Sequence, residues 1–163
     1  MIPLIHYIGK DSEGIKELET KLLSRLSRIL NYYNMKYNIN LDIIVDNIYQ
    51  NCCFNYMTTS IVMSFSFLCI YFQGEEAKRR HIFKTIEDLS ITVFLHEIKH
   101  AIDYLLHKDL YTELEKYNLQ FQYNELKGHS NYIRYEQLPL EARADLFAHD
   151  ELYKWIDNKE ATL

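Results

Sequence analysis

A chain of 163 residues with 48% hydrophobic and 25% charged residues, 4 Gly and 2 Pro can bury one core without staples, and reads as a single domain over 1–163. A net charge of −5 excludes nucleic acid as the main partner, because phosphate binding needs a surplus of Lys and Arg. The most apolar stretch, 60–72, is too short to cross a bilayer as a helix, and the first residues lack the basic segment and apolar core of a signal peptide.

Three cysteines without a C-x-x-C spacing read as reduced thiols, so the expectation is a cytoplasmic protein with no membrane partner. Residues 2–8 read as a short strand. A helix is expected from Ser12, whose hydroxyl suits an N-cap. Its apolar stripe runs through Ile15, Leu18, Leu22, Leu26, Ile29 and Tyr33, the mark of a helix packed inside its own domain rather than a dimer seam. Strands are predicted over 41–49 and 61–72. In the second, Ile61, Met63, Phe65 and Phe67 alternate in part with Ser64 and Ser66.

A polar loop is expected over 73–80, with Lys78-Arg79-Arg80 as a solvated run beside Glu75 and Glu76. A long helix follows over 82–106, then a third over 111–126. Residues 127–138, with Gly128 and Asn131, read as a loop. Pro139 fits the first turn of a last helix reaching about 157. That order gives an α+β domain, a small mixed sheet packed against helices.

The pentapeptide His96-Glu97-Ile98-Lys99-His100 lies inside the long helix and spells H-E-x-x-H. Histidines at i and i+4 stand one above the other on one helix face, so their imidazoles can converge on one tetrahedral Zn²⁺. Glu97 projects toward the same pocket without being a ligand, where it can take a proton from a zinc-bound water.

A hydrolytic zinc site needs a third protein ligand and one open position. A third histidine six residues after the second is excluded, because Leu106 stands there, and His107 is on the same helix and cannot close around the metal. The better candidate is Glu141, in Glu141-Ala142-Arg143-Ala144-Asp145. Glu141 and Asp145 share a helix face, so Glu141 can reach the metal while Asp145 accepts the free ring N–H of a ligating histidine. Ala142, Ala144 and Ala148 are small enough for this helix to approach the histidine helix closely.

His96-Glu97-x-x-His100 followed by Glu141-x-x-x-Asp145 resembles the gluzincins, the thermolysin-like zinc peptidases, over about residues 83–157. The small size and intracellular character are also similar to the ImmA/IrrE peptidases, which cleave regulatory proteins. The resemblance implies a zincin-like fold, with Zn²⁺ on His96, His100 and Glu141, Glu97 as general base and Asp145 orienting a histidine. It also implies that an extended peptide or protein substrate lies antiparallel to an edge strand above the histidine helix, for which 65–72 is the candidate.

Two features depart from the pattern. Lys99 stands inside the motif, where an ammonium aimed at the metal would oppose it, although a flexible Lys can turn its charge away. The chain after Glu141 is too short for the large C-terminal subdomain of thermolysin-like enzymes, with its transition-state histidine. The donor for the scissile carbonyl oxygen is then sought at Tyr132, with Tyr135, His129 and His149 as further candidates. Two alternatives stand beside a general peptidase: a dedicated peptidase with one regulatory protein as substrate, and a non-catalytic zincin-like scaffold that binds a partner. The pattern carries no signal of oligomeric state.

Overall fold

The computed structural model describes residues 5–8, 13–48, 50–131 and 133–156. Four strands, β1 (Ile5–Ile8), β2 (Asp42–Asp46), β3 (Cys53–Asn55) and β4 (Ser60–Met63), form one sheet in the order β1-β2-β4-β3. β1, β2 and β4 run parallel, and β3 turns back antiparallel along β4 as an edge strand. β4 is buried along its whole length, as an inner strand covered on both faces must be, whereas β2 alternates, with Ile43 and Val45 turned inward.

The chain passes from β1 to β2 through α1 (Glu13–Tyr37), whose stripe enters the core at Leu22, Leu26, Ile29 and Tyr33. α1 packs on α2 (Phe65–Tyr71) and on α4 (Ile86–Leu106), in one core with the sheet residues Ile43, Ile61 and Met63. Ser12, the expected N-cap, lies outside the described residues.

The expected strand over 61–72 breaks after Met63. Ser64 is extended and its hydroxyl accepts the N–H of Phe67, while the side chain of Asn47 accepts the N–H groups of Phe65 and Ser66. Three of the donors that open α2 are satisfied this way, so the chain turns helical, with Phe65 and Leu68 buried on one face. The apparent period of two was a cap followed by an i, i+3 pair.

The expected loop over 73–80 contains α3 (Glu75–Arg80). It places Glu75 and Glu76 in its first turn and Lys78, Arg79 and Arg80 in its last, which complements the helix dipole. α4 starts at Ile86 rather than at 82 because Thr85 and Asp88 form a capping box. A single residue, His107, separates α4 from α5 (Lys108–Leu126), and a 3₁₀ turn (Tyr135–Gln137) precedes α6 (Pro139–Ile156).

α6 makes its most extensive contact with α4. Ala144 and Ala148 are fully buried there, while Ala142 is exposed and takes no part in the close approach. Among the described residues no helix is long and apolar enough to cross a membrane. A leucine at Ala148 would overfill this contact, and an Ala148→Leu variant is expected to lose about 1–3 kcal/mol of stability in denaturant unfolding.

Candidate metal centre

α4 is buried on nearly every side from Leu89 to Ile98, so its two histidines are withdrawn from water although both are polar. His96 and His100 face each other with their Nε2 atoms 2.9 Å apart. Glu141, in the first turn of α6, sets Oε2 at 3.4 Å from His96 Nε2 and Oε1 at 3.7 Å from His100 Nε2. Donor atoms of these three buried residues all lie within 4.8 Å of one another. Tetrahedral ligands at zinc-like bond lengths stand roughly 3.3–3.6 Å apart, so the group can hold a metal ion after small shifts.

Asp145, one turn after Glu141, sets Oδ1 at 2.7 Å from His96 Nδ1. The carboxylate can only accept, so Nδ1 keeps its proton, and Nε2, facing His100 and Glu141, is the nitrogen that would give up its proton to a metal. Burial depresses the basicity of His96 more than any other influence. The hydrogen bonds to Asp145 and Glu141 outweigh it and hold the imidazole up to about 9. Burial, reinforced by the neighbouring His96, lowers His100 to about 3.

Glu97 points into the same space, its Oε1 4.0 Å from His96 Nε2. Its other oxygen accepts the backbone N–H of Phe54 in β3 at 2.7 Å, which fixes the carboxylate between sheet edge and histidine helix. Burial pushes its proton affinity up to about 7, with Glu141 adding to the shift and His96 and the Phe54 amide opposing it. Lys99 turns away and pairs with Asp103, which also meets Arg143, so its ammonium does not oppose a cation at the histidines.

Sequence reasoning missed Arg80. Read as part of a solvated run, its side chain is only 9% exposed and enters the site from the end of α3. Its Nε and one terminal nitrogen fork onto the two oxygens of Asp145 at 3.1 and 3.2 Å, and that nitrogen also reaches Glu141 Oε2 at 3.1 Å. The signal was the acidic-to-basic charge order that marks 75–80 as a helix, which would have fixed Arg80 on a definite face. Asn118 of α5 was also missed. It donates to Glu141 Oε1 at 3.1 Å.

The donor candidates divide. Tyr135 donates its hydroxyl to Glu141 Oε1 at 3.0 Å and lines the cleft, whereas Tyr132 lies outside the described residues. His129 is exposed beyond α5, and His149 turns its Nε2 to the carbonyl of Arg80 at 3.0 Å. His81, not singled out from sequence, is buried beside His96 with an unpartnered Nδ1, 3.9 Å from Asp145 Oδ1. The cleft over the site has a volume of about 490 Å³, with β3 and the residues before it on one side, α2 and α3 on another, and α5 on a third.

The charge balance tests whether a cation fits. Glu141 and Asp145 are met by Arg80 and by the proton that His96 holds, and Glu97, pushed up to about 7, is partly protonated near neutral pH, so without a cation protons balance the group. A divalent cation on His96, His100 and Glu141 would take the place of those protons, and two imidazole nitrogens with one carboxylate oxygen are donors of the kind zinc takes. No family model matches the chain, and neither a curated protein nor a solved structure is significantly similar to it. Replacing Asp145 by Ala is expected to weaken divalent-metal binding about 10–100-fold without abolishing it, as measured by chelator competition.

Proposed function

We propose that this chain is a small zinc-dependent peptidase of zincin-like fold, cutting an extended peptide or protein substrate in a reducing, cytoplasmic setting. The observation that carries the reading is the position of Glu97. A buried carboxylate stands beside the His96–His100–Glu141 group, held there by a sheet-edge amide rather than used as a ligand. The free thiols of Cys52, Cys53 and Cys69 fit the compartment.

A zinc ion on His96, His100 and Glu141 would polarise a peptide carbonyl and acidify a water toward neutral pH. The chain's own residues do the rest. Asp145 keeps the His96 lone pair on Nε2 by holding the ring proton at Nδ1. Glu97 takes the water's proton on Oε1 and passes it to the nitrogen of the leaving amine, ending ionised as it began. Its other oxygen stays bonded to Phe54 throughout, which keeps the base from rotating away.

Of the donor candidates named from sequence, Tyr135 is the one that lines the cleft, and its hydroxyl is the proposed donor to a charged carbonyl oxygen. The substrate strand moves with the corrected fold. Residues 65–71 are helical and cannot pair with a peptide, whereas β3 is the sheet edge beside the cleft, and an extended substrate would lie along it past the Phe54 amide that Glu97 occupies.

Three outcomes test the proposal. Purified protein is expected to carry one zinc per chain by elemental analysis, and Glu141→Ala to lose most of it while keeping the fold. A full zinc complement in that variant would remove Glu141 from the ligand set. Glu97→Gln is expected to retain zinc and lose cleavage, read on proteins of the chain's own cell, because an amide cannot accept the water's proton. Identical products from wild type and Glu97→Gln would show that Glu97 is not the base. If the wild type holds zinc and cuts nothing, the non-catalytic scaffold replaces the peptidase.

A further inference from the structure

Each nitrogen of the Arg80 side chain faces a carboxylate. Nε meets Asp145 Oδ2 at 3.1 Å. One terminal nitrogen meets Asp145 Oδ1 at 3.2 Å and Glu141 Oε2 at 3.1 Å, and the other lies 3.5 Å from Glu76 Oε1. The residue is itself held at two further points: its carbonyl accepts from His149 of α6, and its guanidinium carbon lies 6.0 Å from the ring centre of Tyr135. Such a planar fork fixes direction as well as charge, which a lysine ammonium cannot do.

The hydrogen bonds on Glu141 show what that direction achieves. A carboxylate has about four lone-pair sites. Oε1 accepts from Tyr135 and Asn118, and Oε2 accepts from Arg80, which leaves one site, on Oε2, the oxygen 3.4 Å from His96 Nε2. Asp145 is arranged in the same way. Oδ1 takes both the His96 ring N–H and Arg80, while Oδ2 is occupied by the second arm of the fork.

We propose that Arg80 is the positioning residue of the metal centre: it locks Glu141 and Asp145 together so that the free Glu141 lone pair and the His96 Nε2 lone pair meet at one point. This rests on the metal reading above. Without the fork, two like-charged carboxylates one turn apart on α6 repel each other, and Asp145 is free to turn toward the unpartnered Nδ1 of His81.

The sign of the effect separates positioning from plain charge. As a charge alone, Arg80 repels a cation, so its removal would tighten metal binding. As a positioning residue its removal loosens binding. The test titrates wild type, Arg80→Gln and Arg80→Lys with zinc against a chromophoric chelator, and records the visible absorption of each protein saturated with Co²⁺. Both variants are expected to bind zinc about 10–100-fold more weakly. At full Co²⁺ occupancy, their d–d bands are expected to be shifted and weakened, which a general loss of stability would not produce.

Arg80→Gln binding zinc as tightly as wild type, or more tightly, overturns the proposal. Arg80→Lys matching wild type in both affinity and spectrum also overturns it, because charge without the fork would then suffice. If Arg80→Gln fails to fold, Arg80→Lys decides alone. Wild-type protein that takes up neither zinc nor Co²⁺ is a separate result, one that removes the metal centre itself.

Discussion

The close approach of α6 to α4 is the contact on which the site depends. Glu141, Ala144, Asp145, Ala148 and Leu152 recur at helical spacing along one side of α6. The two alanines and Leu152 are buried, Ala148 and Leu152 within the main core, and the two carboxylates ride on the same face toward its N-terminal end. Small side chains set the distance between the helices, so a carboxylate from one can reach imidazoles on the other. Packing and chemistry here share one helix face, and a change in the first moves the second.

Electrostatics constrains the same region. Burying charges is expensive, and removing one partner of a buried pair costs more than the pair contributes. The fold bears that cost through an apolar core elsewhere, in which Tyr33, Phe65 and Phe94 are fully enclosed and Tyr33 is tied to Glu151 of α6 by a 2.6 Å hydrogen bond. Arg80 offsets part of the negative charge from the far side of the site. What remains is a buried group of two imidazoles and a carboxylate that could hold a cation, and an ion bound there would stabilise the fold by mass action.

How much of this was legible in the sequence depended on the range of the cause. Glu97 next to His96 and the i, i+4 spacings of His96 with His100 and of Glu141 with Asp145 are local, and the structure does bring these side chains together. The stripe on α1 was equally local and lies in the core. The strand expected over 61–72 stops after Met63 because the side chain that turns it helical, Asn47, lies far back in the chain. Arg80 was misread for the same reason. Exposed charges are the rule, and only the return of α6 supplies the partners that make this one buried.

By itself the sequence determined the helical faces: which side of each helix is apolar, which carries imidazoles and which carries carboxylates. Those follow from the fixed rotation per residue, a property of the backbone that needs no neighbour. Tertiary structure alone decided which faces meet and what each polar group does on arrival. It gave Glu97 to the amide of Phe54, turned Lys99 to Asp103, made β3 the sheet edge beside the cleft, and placed the guanidinium of Arg80 across Glu141 and Asp145. Each of those partners lies on a different element of the chain or is chosen by burial, and hydrogen bonds under burial are decided by which groups packing brings together.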